Sequence, residues 1–217
     1  MNISTSKENI LKKIRKALSE STPIPFPASE GNQSVFQPPA DDLEMLFAQA
    51  FANLQGKFVF CMDQQELAIQ LEQLFRQSGM KTVYCREKEL RNQLTSLGFG
   101  ELSGAKGDPA ELANCDASIT TCEYLVARTG TIVMSSAQES GRTTSVYAPV
   151  HICIATTDQL VYDIRDGLKK MKEKYGTALP SLITFASGPS RTADIEKTLV
   201  VGVHGPKEVY LFLVDKQ

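Results

Sequence analysis

The chain has 217 residues, 42% of them apolar, and a formal net charge of −2. That length supports one substantial domain with added elements. The near-neutral balance lacks the clustered basic surface that nucleic acid requires. No apolar run approaches the roughly 18 to 20 residues that span a bilayer, and no unbroken apolar segment near Met1 marks a secretory signal, so a cytoplasmic location is expected.

Residues 6–19 place Ile10, Leu11, Ile14, Ala17 and Leu18 at helical spacing, with Lys7, Lys12, Lys13, Arg15 and Lys16 on the remaining faces. This predicts a basic amphipathic helix. Such a helix docks on its own domain or on a second copy, which leaves a homodimer open; a membrane surface or another partner is the other reading. Five prolines between residues 21 and 42 predict an extended linker. The chain is thereby divided into a front end, 1–40, and a main domain, 41–217.

From residue 41 the texture alternates. "DDLEMLFAQAFANL" is helical with an Asp cap, "KFVFCM" strand-like, "DQQELAIQLEQLFRQSG" helical to Gly79, "MKTVYC" strand-like and "REKELRNQLTSLG" helical to Gly98. Alternation at these lengths predicts an α/β fold with an open, mainly parallel sheet and flanking helices. After a polar stretch come short β-rich segments, "ASIT", "GTIVMSS", "VHICIATTDQLVYDI", "SLITFAS" and "EVYLFLVD", interrupted by the helix "RDGLKKMKEKYG".

Chemistry-bearing residues gather between 120 and 205. In "FASGPSRTADIE" a strand ends, turns through Ser187, Gly188 and Pro189, and presents Ser190, Arg191 and Thr192 ahead of an expected helix. Free helix N–H groups, hydroxyls and a guanidinium together suit a carboxylate or phosphate. The structural alternative makes Ser190 or Thr192 a cap and Arg191 a surface ion pair. Arg142, His151 and His204 are expected to share the cleft with Ser187–Thr192, outside the strand ends. Glu123, Asp194 and His151 are the candidates for catalysis, although Asp194 also suits a first helical turn.

Five cysteines are present and none is paired as Cys-x-x-Cys. That spacing predicts buried, unpaired thiols and no intrinsic metal or iron–sulfur cluster. No dinucleotide fingerprint, Walker motif or Gly-x-Ser-x-Gly elbow occurs. No intrinsic cofactor is expected, only a small anionic ligand.

"RTGTIVM", "GRTTSVYAPVHICIA" and "SGPSRTADIEKTLVVGVHGPKEVYLFLVD", in this order, resemble the signature of the LUD (lactate-utilisation) domain family, protein C type, over residues 41–217. The front end is also similar to that of this type. The resemblance implies a fold like the sugar-phosphate isomerase and CoA-transferase group. It also implies a part in oxidising L-lactate to pyruvate beside two iron–sulfur proteins of a lactate-utilisation operon. Many members carry a glutamate where this chain has Arg128, which favours anion binding over covalent acyl transfer. Three functions compete. The leading one is a non-redox component of a lactate-oxidising system. The others are a free-standing isomerase or acyl-transferase using Glu123 or Asp194 with His151, and a structural or regulatory partner.

Overall fold

The computed structural model describes residues 5–19, 42–100, 102–104, 106–195 and 198–216; the side chains of 5, 6, 18, 192–195 and 198–200 lie outside that description, as does most of the proline-rich linker. The chain divides into two compact units, Met1–Pro38 and Pro39–Gln217. The first holds α1 (Thr5–Ser19), whose Ile10, Leu11 and Ile14 are exposed.

In the second unit, α2 (Leu43–Asn53) starts at Asp42, which occupies the cap position without a side-chain hydrogen bond. The expected Asp cap is therefore positional only. Asp63 caps α3 (Gln64–Ser78) in full, accepting from the amides of Gln65 and Glu66, and Gly79 closes it with a left-handed φ of 67°. The strands β1 (Lys57–Cys61), β2 (Val83–Tyr84), β3 (Ala117–Thr120), β6 (Val150–Thr156) and β11 (Glu208–Val214) form one sheet, in the order β1-β11-β6-β3-β2. Every pairing in it is parallel.

A second sheet was not foreseen. β4 (Tyr124–Val126), β5 (Thr131–Ser135), β7 (Leu160–Val161) and β8 (Ile183–Ala186) run in the order β7-β4-β5-β8, with antiparallel pairing of β5 to both neighbours. The helix expected after Thr192 does not open there: residues 191–195 are strand β9 (Arg191–Ile195), paired antiparallel with β10 (Thr198–Val201). The β-branched Thr192, Ile195, Thr198, Val200 and Val201 suit extended backbone better than a helix.

The layers follow from which side chains are apolar. Leu67 and Leu71 of α3, with Leu90 and Leu94 of α4 (Lys88–Ser96), cover Ile119, Ile152, Ile154 and Phe212 on one face of the parallel sheet. The opposite face, with Cys153, Leu211 and Leu213, packs on Leu125, Ile132 and Met134 of the second sheet and on Phe47 and Phe51 of α2. The outer face of the second sheet, Val126, Val133 and Val161, meets Ile164 of α7 (Ile164–Tyr175). The result is a helix–sheet–sheet–helix stack, with α5 (Pro109–Ala113) and α6 (Thr144–Tyr147) as single turns.

All five cysteines are free and buried. Burial pushes the Cys61 thiol up to about 11 and Cys85 to about 12. Both are thereby held as thiols, the unreactive form, at neutral pH.

Candidate functional site

β8 delivers the chain to Ser187-Gly188-Pro189-Ser190, and the segment before β11 delivers His204-Gly205-Pro206. Two close approaches bring these loops into place. Gly188 has φ +79°, and a Cβ there would lie 2.6 Å from the carbonyl oxygen of Leu54. A Cβ on Gly205 would lie 2.8 Å from that of Ser190. The Ser190 amide donates to the Pro206 carbonyl at 3.0 Å, and the Gly202 amide donates to the Ser190 carbonyl at 3.0 Å. A side chain at Gly188 would strike the C-cap of α2, and one at Gly205 would push the two loops apart.

Between the loops lies a cavity of about 280 Å³. Its walls are Thr184 to Ala186 of β8, Ser187 to Ser190, His204 to Pro206, Ser145 and Val146 of α6, and Met134, His151 and Val209 from the two sheets. His151 and Val209 stand near the amino-terminal ends of β6 and β11. The cleft expected beyond the carboxyl ends of the sheet strands thus opens at the other end of the parallel sheet, against the carboxyl end of β8. The second sheet creates this site, by folding β8 across the start of β6 and β11.

His151 is 2% exposed, and its Nε2 lies 2.9 Å from Thr120 Oγ1. Burial lowers its pKa to about 4, so the ring is neutral at pH 7. Ser187 Oγ lies 2.7 Å from Thr131 Oγ1, which lies 2.7 Å from Thr129 Oγ1. Ser190, Ser145 and Thr184 add hydroxyls to the wall.

Five of the residues singled out in the sequence (His151, Ser187, Gly188, Ser190 and His204) line this one cavity. Those of the others whose side chains are described lie elsewhere. Arg191 is exposed, and its guanidinium donates to the Leu54 carbonyl at the C-cap of α2. A cation there complements the helix dipole, which is a structural task. With strand β9 after Ser190, the helix N-terminus expected beside Arg191 is not formed. Arg142 donates to Ser181 Oγ at 2.6 Å and is absent from the cavity wall. The side chains of Thr192 and Asp194 lie outside the described residues, as does Glu196.

Glu123 is also absent from the cavity wall. Its buried carboxylate accepts from Ser135 Oγ at 2.5 Å, Tyr175 Oη at 2.6 Å and Lys174 Nζ at 2.7 Å. Burial alone would raise its pKa, but these donors outweigh burial and hold it below the usual carboxylate range. A carboxylate so occupied fastens α7 to the second sheet. Arg128 is structural too, with its Nε 2.6 Å from Asp163, the cap of α7. Sequence reasoning missed Ser145, Thr184 and the Thr129–Thr131 pair; only the hydroxyl-rich texture of "GRTTSVY" hinted at the first.

The model of the LUD domain matches residues 5–214. The chain belongs to the LUD-domain family. This LUD domain is 36% identical over 106 residues to lactate utilization protein C of Deinococcus radiodurans, covering 48% of the chain and 49% of that protein. It is 39% identical over 111 residues to the protein of that name from Shouchella clausii, covering 50% and 48%. With the Bacillus subtilis protein of that name, identity is 36% over 110 residues, covering 49% and 45%. These matches thus span about half the length of the relatives. Among solved structures, a DUF162 family protein from Deinococcus radiodurans aligns with a TM-score of 0.62 at 20% identity, covering 81% of this chain and 99% of that one. That likeness supports the mixed α/β fold. No helix among the described residues is long and apolar enough to cross a membrane.

Proposed function

We propose that this LUD domain is a component of a lactate-utilisation system and that its cavity holds a small carboxylate or phosphate. The observation that carries the reading is the convergence of His151, Ser187, Gly188, Ser190 and His204 on one cavity of about 280 Å³. That volume sits at the lower end of small-molecule sites, which suits a ligand of few heavy atoms. The names of the relatives supply the pathway. In this reading the chain works in the cytoplasm on the route from lactate to pyruvate. Its role is ligand binding, and electron transfer belongs to iron–sulfur partner proteins, because the sequence has no cysteine run of cluster spacing.

The competing reading, an acyl-transferase or isomerase working through Glu123, is disfavoured by the three donors already on that carboxylate. Isothermal titration of the purified chain with L-lactate and with inorganic phosphate tests the proposal. His151→Ala removes a buried hydrogen-bonding group from the cavity wall, and binding is expected to weaken about tenfold. Binding that is untouched by this substitution would place the ligand elsewhere.

A further inference from the structure

The α1 helix (Thr5–Ser19) carries five cations, Lys7, Lys12, Lys13, Arg15 and Lys16, against a single acid, Glu8. At about 3.6 residues per turn, Lys7, Ile10, Leu11 and Ile14 fall on one stripe, at the i, i+3, i+4, i+7 spacing. Lys13 and Arg15 flank that stripe, and Lys12 and Lys16 lie opposite it. The aliphatic side chains of the stripe are open: Ile10 is 56% exposed, Ile14 48% and Leu11 40%. A basic face alone would mean little, as α7 shows. It carries Lys169, Lys170, Lys172 and Lys174, but its Met171 is buried and its Ile164 packs on the second sheet. What sets α1 apart is that cations and exposed aliphatic side chains share one short helix.

Two kinds of partner cover such a stripe, and Lys7 tells them apart. A second copy of α1 would form a dry seam, in which each Lys7 ammonium meets aliphatic groups or the other Lys7. Taking an ammonium out of water without a carboxylate beside it is costly. Glu8, the one acid of the helix, lies off the stripe, about 100° round from Lys7. A lipid surface makes no such demand. There the Lys7 stem lies along the acyl boundary while its ammonium reaches up to the headgroups. The flanking Lys13 and Arg15 then sit at headgroup level, and all five charges favour an anionic surface over a neutral one. At 15 residues α1 is shorter than the roughly 20 that span a bilayer, so it lies on the surface.

We propose that α1 is a peripheral membrane anchor that lays Ile10, Leu11 and Ile14 into the interface of an anionic phospholipid bilayer. The proposal does not depend on the reading of the cavity. One short helix with so few aliphatic side chains binds reversibly, so the charge of the bilayer controls how much protein is bound.

Cosedimentation of the full chain with vesicles of phosphatidylglycerol and phosphatidylcholine, against pure phosphatidylcholine, tests this. Binding to the anionic vesicles is expected to be at least about tenfold tighter, since each cation near such a surface adds about fivefold. Raising the salt from about 0.1 M to about 1 M shortens the screening length from about 10 Å to about 3 Å and should release the protein. Lys13→Glu combined with Arg15→Glu, and separately Ile14→Glu, should each weaken binding at least about tenfold. Lys169→Glu, on the basic face of α7, should leave it unchanged. Circular dichroism of each variant separates loss of binding from loss of fold. Equal binding to both vesicles, no binding to either, or binding that survives a folded Ile14→Glu would overturn the proposal. So would a dimer in sedimentation equilibrium that Ile14→Glu splits, because a second copy would then cover the stripe.

Discussion

At the residue scale, the same side chain can look catalytic in sequence and prove structural once its partners are known. Arg191 stands beside a hydroxyl-rich turn, yet its guanidinium holds the α2 C-cap. Arg191→Ala should therefore leave ligand affinity within about twofold while lowering stability by about 0.5–1 kcal/mol, the usual worth of a cation at a helix end. Titration and urea unfolding of the same preparation decide this, and a tenfold loss of affinity without a stability change would return Arg191 to the site. His151 makes the opposite case. Its folded pKa of about 4 lies below the ordinary histidine value of 6.5, so between these values the unfolded chain binds more protons. Stability is then lost as pH falls through this window, by up to about 3 kcal/mol. Urea unfolding at pH 7.5 and at pH 5 should show the drop, and His151→Gln should flatten it.

At the scale of elements, legibility tracked local physics. The helices α3 and α7 declare themselves by apolar spacing and by Asp63 and Asp163 caps, and β5, β6 and β11 by runs of branched side chains. The turns at Gly188-Pro189 and Gly205-Pro206 were legible as turns, whereas the neighbours that a side chain there would strike appear only in the structure. The division into two sheets was hidden, because it depends on β5 pairing with β4 and β8 rather than joining the parallel sheet. Strand β4 has only three residues and carries no pattern of its own. The segment after Thr192 reads as a helix start in sequence because Ser and Thr after Gly-Pro suit a cap as well as a turn. Glu123 likewise joins elements that no spacing connects: β5 through Ser135, and α7 through Lys174 and Tyr175. Glu123→Ala would leave the Ser135 and Tyr175 hydroxyls without their acceptor, at a cost of about 2–3 kcal/mol. Lys174→Ala should cost less than about 1 kcal/mol, because that ammonium is already half exposed. Since donors depress the Glu123 pKa, its contribution is present above the ordinary carboxylate range and disappears as pH falls below it. Denaturant midpoints at pH 7 and pH 3 for wild type and both variants would show whether the order holds.

For the molecule as a whole, the decisive feature is the place of β11. It sits inside the parallel sheet between β1 and β6, so residues 208–214 bridge the start of the main unit and its middle. Val209, Leu211, Phe212, Leu213 and Val214 are all buried, and they face both cores at once. At about 1.5–3 kcal/mol for each large side chain, their burial contributes on the order of 10 kcal/mol. That rivals the entire stability of an ordinary domain, about 5–15 kcal/mol. The site depends on the same strand, because Val209 forms part of the cavity wall and β11 pairs with His151 through Val209. A chain cut before residue 208 should therefore lose the parallel sheet and the cavity together, not one at a time. Far-ultraviolet circular dichroism and ligand titration of that truncation would test the coupling. A truncated chain that keeps a cooperative thermal transition would mean that β1 and β6 close directly on each other, and that the centre of the fold lies elsewhere than β11.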